Sequence, residues 1–138
     1  MKRIVIVLWI FALTGCSENP ETYIEYVDGY WEIEKVILPD GTERDYSYNE
    51  SIDYFSISDS LSGFRKKLKP NFEGKFTTSK NAESLKIVIE NDSLNIYYTT
   101  PFDNWKETVL YADSEKLKII NSNKNVYLYK RYTPLEIE

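Results

Sequence analysis

The stretch "SLKIVIENDSLNIYYTT", residues 84–100, decides the fold. Two short runs of alternating residues flank the turn-forming triplet "NDS" at 91–93. Leu85, Ile87 and Ile89 share one face of the first run, and Leu94, Ile96 and Tyr98 share one face of the second. A period of two is the pleat of a half-buried strand, and Asn and Asp accept the backbone angles of a tight turn. The stretch therefore predicts a β-hairpin with one apolar face.

The same unit recurs in both directions. Downstream, "NWKETVLYA" (104–112) brings Trp105, Val109 and Tyr111 together, with Glu107 out of character among them. "DSEK" (113–116) turns into "LKIIN" (117–121), and "SNKN" (122–125) leads to a last strand, "VYLYKRY" (126–132). Upstream, "FEGKFTTS" (72–79) holds Phe72 and Phe76 in phase, and "FRKKLK" (64–69) stops at Pro70. Before the loop "DSLSG" (59–63) comes "SIDYFSIS" (51–58). The first strand, "GYWEIEKVIL" (29–38), puts Trp31, Ile33 and Ile37 on one face and Glu32 and Glu34 on the other. Lys35 and Val36 interrupt this pattern. "PDGT" (39–42) then turns the chain, with Pro and Gly each setting one backbone angle. The twelve tyrosines and six phenylalanines are strand composition, and no strong helix signal appears. Eight or nine short strands joined by tight turns predict an all-β fold. The form expected is an antiparallel up-and-down β-barrel of about eight strands, since closure removes exposed edges.

The amino terminus carries a different signal. Lys2 and Arg3 precede an apolar run at 4–13, and Thr14 and Gly15 precede the chain's single cysteine, Cys16. A charged start, an apolar run and small junction residues make a secretory leader. The run is too short for a bilayer, which takes ~20 apolar residues. "LTGC" (13–16) resembles the bacterial lipobox. That resemblance implies cleavage after residue 15 and a diacylglyceryl group on the Cys16 sulfur, a thiolate being a good thioether nucleophile. Two or more acyl chains anchor stably where one is marginal. The expected layout is a signal peptide at 1–15, a lipidated Cys16 with its tether at 16–23, and one domain at 24–138. Ser17 stands where an inner-membrane retention signal would place Asp, which points to the outer membrane, at its periplasmic face or the cell surface.

Charge and composition exclude several functions. The chain carries a formal charge of −5, and removing Lys2 and Arg3 with the leader takes it to about −7. That disfavours nucleic acid, whose phosphates need a basic surface. Without any histidine the chain lacks the commonest general base and metal ligand. No metal site, cofactor or catalytic residue is expected, and the sequence reads as a non-enzyme.

Further residues resemble a known family. "DGYWEIEKV" (28–36), with Gly29-x-Trp31, resembles the Gly-x-Trp opening of the lipocalins. "VYLYKRY" resembles the last strand of small lipocalin-like lipoproteins of Bacteroidetes. The resemblance spans about residues 16–133. It implies that Trp31 plugs one end of the barrel and that Arg131 packs over its ring. The chain departs from the family in lacking the middle lipocalin loop motif and a long helix after the barrel.

Two roles follow as expectations. The first is a barrel holding a small apolar or amphipathic ligand, lined by Phe55, Ile57, Phe76, Ile87, Ile96, Tyr98, Val109 and Tyr111. The second is a filled barrel that meets an envelope protein or glycan through outward tyrosines such as Tyr97, Tyr127 and Tyr129. "RKKLK" (65–69) reads as a solvated face, with an anion-binding patch as the alternative. Asp53, Asp59, Glu107 and Asp113 read as scattered surface acids.

Overall fold

The computed structural model of the chain describes residues 19–46, 51–70, 76–78 and 82–133. A short helix, α1 (Glu21–Val27), leads into strand β1 (Gly29–Ile37). Then follow β2 (Glu43–Asp45), β3 (Ile52–Ile57), β4 (Ser62–Pro70), β5 (Phe76–Thr78) and β6 (Glu83–Glu90). The chain closes with β7 (Ser93–Thr99), β8 (Asn104–Ala112), β9 (Lys116–Asn121) and β10 (Val126–Arg131). All pairings are antiparallel, and the path runs β10-β9-β8-β7-β6-β4-β3-β1. Pairing of β1 with β10 closes that path into an eight-stranded barrel. β2 and β5 are short additions on the far halves of β1 and β4.

The 84–100 hairpin forms as the alternation predicts. Asn91 and Asp92 both take positive φ (49° and 59°) between the paired residues Glu90 and Ser93. Two left-handed residues in a two-residue loop match the twist of the flanking strands. Leu85, Ile87, Leu94, Ile96 and Tyr98 are buried, but Ile89 is exposed at the strand's end.

Two bulges correct the expected faces. In β1 the register with β10 shifts between Ile33 and Lys35. The extra residue returns Val36, not Ile37, to the buried face, which explains the broken pattern at Lys35 and Val36. In β8 the register with β9 shifts between Val109 and Tyr111. Ala112 is therefore buried, and Leu110 and Tyr111 are both exposed. The expectation that Tyr111 lines the interior is thus corrected: one inserted residue reverses its side.

The helix was not legible as a helix. Seven residues rich in Tyr, Ile and Val have little intrinsic helicity, and so short a helix depends on packing. Tyr23 and Val27, four apart, are buried, and Ile24 packs beside them on the same core. Tyr23 meets Tyr111 edge-on at 5.8 Å. Residues 21–23, expected in the tether, already belong to this helix.

Candidate functional site: the barrel interior

The interior has two parts. The first is the end beneath α1, built on Trp31, which is fully buried. Its indole Nε1 donates to the Val27 carbonyl at 2.9 Å, tying barrel to helix. The Arg131 guanidinium carbon lies 3.7 Å from the Trp31 ring centroid, a close cation–π contact. The same guanidinium donates to the carbonyls of Tyr26, Asp28 and Ser114 at 2.7, 3.0 and 3.0 Å. Burial pulls the Arg131 pKa down, while Asp28 and Asp113 oppose the shift. Gly29 has φ of +122°, and a Cβ there would sit 2.5 Å from an Arg131 guanidinium nitrogen. Glycine is needed at this position both for its backbone angle and for the arginine's approach. Phe55, Leu94, Ile96, Leu117 and Ile119 continue the same core, each at most 2% exposed.

The second part is a charged cluster within the barrel. Arg65 on β4 donates through Nε to Glu83 Oε2 at 2.7 Å and through Nη1 to Glu107 Oε1 at 2.9 Å. A longer bond of 3.3 Å reaches the Tyr98 hydroxyl. The guanidinium carbon lies 4.2 Å from the Tyr98 ring centroid and 5.9 Å from that of Phe55. Tyr98 in turn stacks on Trp105 at 5.3 Å. The side chains of Arg65, Glu107 and Glu83 are 14%, 9% and 30% exposed, so the cluster meets solvent on its Glu83 side.

Asp53 and Tyr129 extend this network. Burial raises the Asp53 pKa; Arg65, Lys67 and a hydrogen bond from Tyr129 oppose the rise. Burial also pushes the Tyr98 and Tyr129 phenols well above their ordinary range. For Arg65 burial works against the charge, but Tyr98, Glu107, Glu83 and Asp53 more than offset it, and the group stays a cation. Among the described residues no buried side-chain polar atom lacks a partner. The arrangement can hold a polar group over an apolar floor.

The sequence model of the lipocalin-like domain matches residues 27–119. The chain belongs to the lipocalin-like domain family. Two solved structures from Bacteroides are also similar. A lipocalin-like protein from Bacteroides uniformis matches at TM-score 0.48 and 11% identity, over 76% of this chain and 97% of that one. An uncharacterized protein from Bacteroides eggerthii matches at TM-score 0.49 and 12% identity, over 76% of this chain and 98% of that one. No curated protein matches the chain.

Within this lipocalin-like barrel the sequence-selected residues fall as follows. Phe55, Ile87, Ile96, Tyr98 and Val109 are buried in one cluster, and Ile57 packs against it. Tyr111 lies outside, and its hydroxyl donates to Asp113 at 2.7 Å. Phe76 starts β5, where its side chain lies outside the described residues, as does Cys16. Trp31 and Arg131 face each other across β1 and β10. Arg131 shares its strand face with Tyr129 and Tyr127, so an inward Arg131 carries both tyrosines inward. Tyr129 is buried and Tyr127 packs on the core, which corrects their expected outward placement. Tyr97 does face out, with its hydroxyl on Glu90.

The charged cluster is what sequence reading missed. Asp53 and Glu107, read as scattered acids, converge on the Arg65 neighbourhood, whereas Asp59 is exposed and Asp113 orders the β8–β9 turn. Lys66 lies over Phe64 and Lys69 is exposed, while Lys67 shares the strand face of Arg65 opposite Asp53 but reaches solvent, so of the cations in "RKKLK" only the arginine is drawn into the buried cluster. Two signals were present. Glu107 stands in phase with Trp105 and Val109, and Arg65 is the one forked cation in a lysine run, the type suited to buried carboxylates.

Proposed function

We propose that this chain is a lipid-anchored, non-catalytic lipocalin-like protein of the cell envelope that binds a small amphipathic ligand inside its barrel. One observation carries the ligand reading: the Arg65 cluster, which meets solvent on its Glu83 side, lies directly on the apolar floor of Phe55 and Tyr98. A barrel filled only for stability gains little from buried charges, because apolar replacements are often as stable. A ligand with an apolar body and a polar head matches both parts. An eight-stranded barrel has room for one small ligand at most. The "LTGC" motif supports the anchor at Cys16, and Ser17 favours the outer membrane.

Mass spectrometry of the full chain, extracted from its own host's membrane, tests both halves. The denatured mass is expected to show a chain beginning at an acylated Cys16. The native mass is expected to exceed it by a non-covalent ligand. A chain still beginning at Met1 contradicts the anchor, and equal native and denatured masses contradict the ligand.

A second reading has its own observation. A depression of about 620 Å³ lies on the outer side of β8, β9, β10 and β1, bordered by Tyr111, Leu128, Lys118 and Lys35. This surface supports a partner-binding role for the outer face, with an envelope protein or glycan as the partner.

A further inference from the structure

We infer that the barrel stands with its Trp31 end toward the membrane and its charged cluster toward the aqueous compartment. This rests on the anchor reading above and adds an orientation to it. Only four residues, 17–20, separate Cys16 from α1. The five residue steps from Cys16 to Glu21 span at most ~18 Å fully extended, at ~3.5 Å per residue. No slack follows them. Val27 is buried, Trp31 bonds to its carbonyl, and Arg131 bonds to the carbonyls of Tyr26 and Asp28, so α1 is fixed to the barrel. The nine residues of β1 run ~30 Å, at ~3.3 Å per residue, and a strand tilt of ~40° leaves a wall ~23 Å high. A tether shorter than the wall cannot bring the far end of the barrel to the bilayer while α1 points away.

Charge sets how closely this end approaches the bilayer. Antiparallel pairing gathers the β3–β4, β6–β7 and β8–β9 turns at the α1 end. The exposed acids there are Glu21, Glu25, Asp28, Asp59, Asp92 and Glu115. Of the bases near this end, Lys116 pairs with Glu34 at 2.8 Å, Lys130 pairs with Glu32 at 3.0 Å and Arg131 lies on Trp31, while Lys86 is exposed on β6. An anionic leaflet repels this rim over a Debye length of ~8–10 Å at physiological salt. Repulsion holds the rim off the surface and extends the tether. The Glu83 side of the charged cluster then opens to water, and ligand exchange proceeds from the aqueous side rather than from the bilayer beneath.

The test uses the full, lipidated chain on vesicles of phosphatidylethanolamine and phosphatidylglycerol. Glu25→Cys labels the α1 end and Asn123→Cys labels the β9–β10 turn, each with a fluorophore, and a headgroup-attached spin label quenches from the membrane. The label at 25 is expected to be quenched several-fold more than that at 123, and more strongly still when salt is raised and the repulsion screened. Equal or reversed quenching on chains that float with the vesicles overturns the orientation alone. Chains that do not float overturn the anchor reading and the orientation with it.

Discussion

The two halves of the barrel interior solve burial in opposite ways. The Trp31 end is closed by packing: a large indole, a helix laid across it and one arginine that finds backbone carbonyls. The Arg65 cluster is closed by pairing, with one cation among Glu83, Glu107 and the raised carboxyl of Asp53. Packing is judged by volume and tolerates little loss. Pairing is judged by balance: removing one partner is costly, whereas removing a matched set is not. The first region therefore suits stability, and the second suits the ligand recognition proposed for it.

Mutations separate the two. Trp31→Ala should have the largest effect, a loss of ~3–5 kcal/mol in denaturant unfolding, since the ring is fully buried and supports both α1 and Arg131. Arg65→Ala should cost about 3 kcal/mol by leaving carboxylates unpaired. The Arg65→Met/Glu107→Gln double variant should recover most of that loss, because the new amide oxygen can still accept from Tyr98 and Glu83 reaches water. No such rescue exists for Trp31, and a double variant as unstable as the single one would erase the distinction. Gly29→Ala should cost ~1–3 kcal/mol, through its positive φ and the clash with Arg131. An unchanged melting temperature would remove Gly29 from the account of the closed end.

The smallest effect is one of pH. Asp53 has a raised pKa in the folded chain, from burial first. The fold therefore favours its protonated form. That contribution is complete below the ordinary carboxylate range and is lost as pH rises through the raised value. Asp53→Asn, which keeps an acceptor for Tyr129, should match the parent near pH 4. Its melting temperature should exceed the parent's by a few degrees near pH 8. A difference independent of pH would show that Asp53 acts through its shape rather than its charge.

Much of the barrel was legible because its information is local. The 84–100 hairpin alternates without interruption, and its turn uses two residues that accept positive φ. Gly29 and Trp31 could be placed at the first strand by their resemblance to the lipocalin opening. What escaped is non-local. A bulge is one residue too many against a partner strand, so the shifts after Ile33 and Val109 show only once β10 and β9 are in place. Helix α1 exists because Tyr23 and Val27 find a core, which their own sequence does not contain. The charged cluster draws on β3, β4, β6, β7, β8 and β10, and its ionisable members Asp53, Arg65 and Glu83 each alone resemble an ordinary surface residue.

The most direct measurement is native mass spectrometry of the parent and of Arg65→Met/Glu107→Gln, each taken from the host membrane and shown to be folded. The account predicts that the parent carries a mass that leaves on denaturation and that the double variant, with a melting temperature close to the parent's, carries none. A bare parent, or a folded double variant that keeps the same bound mass, would contradict the claim that the charged cluster recognises a ligand.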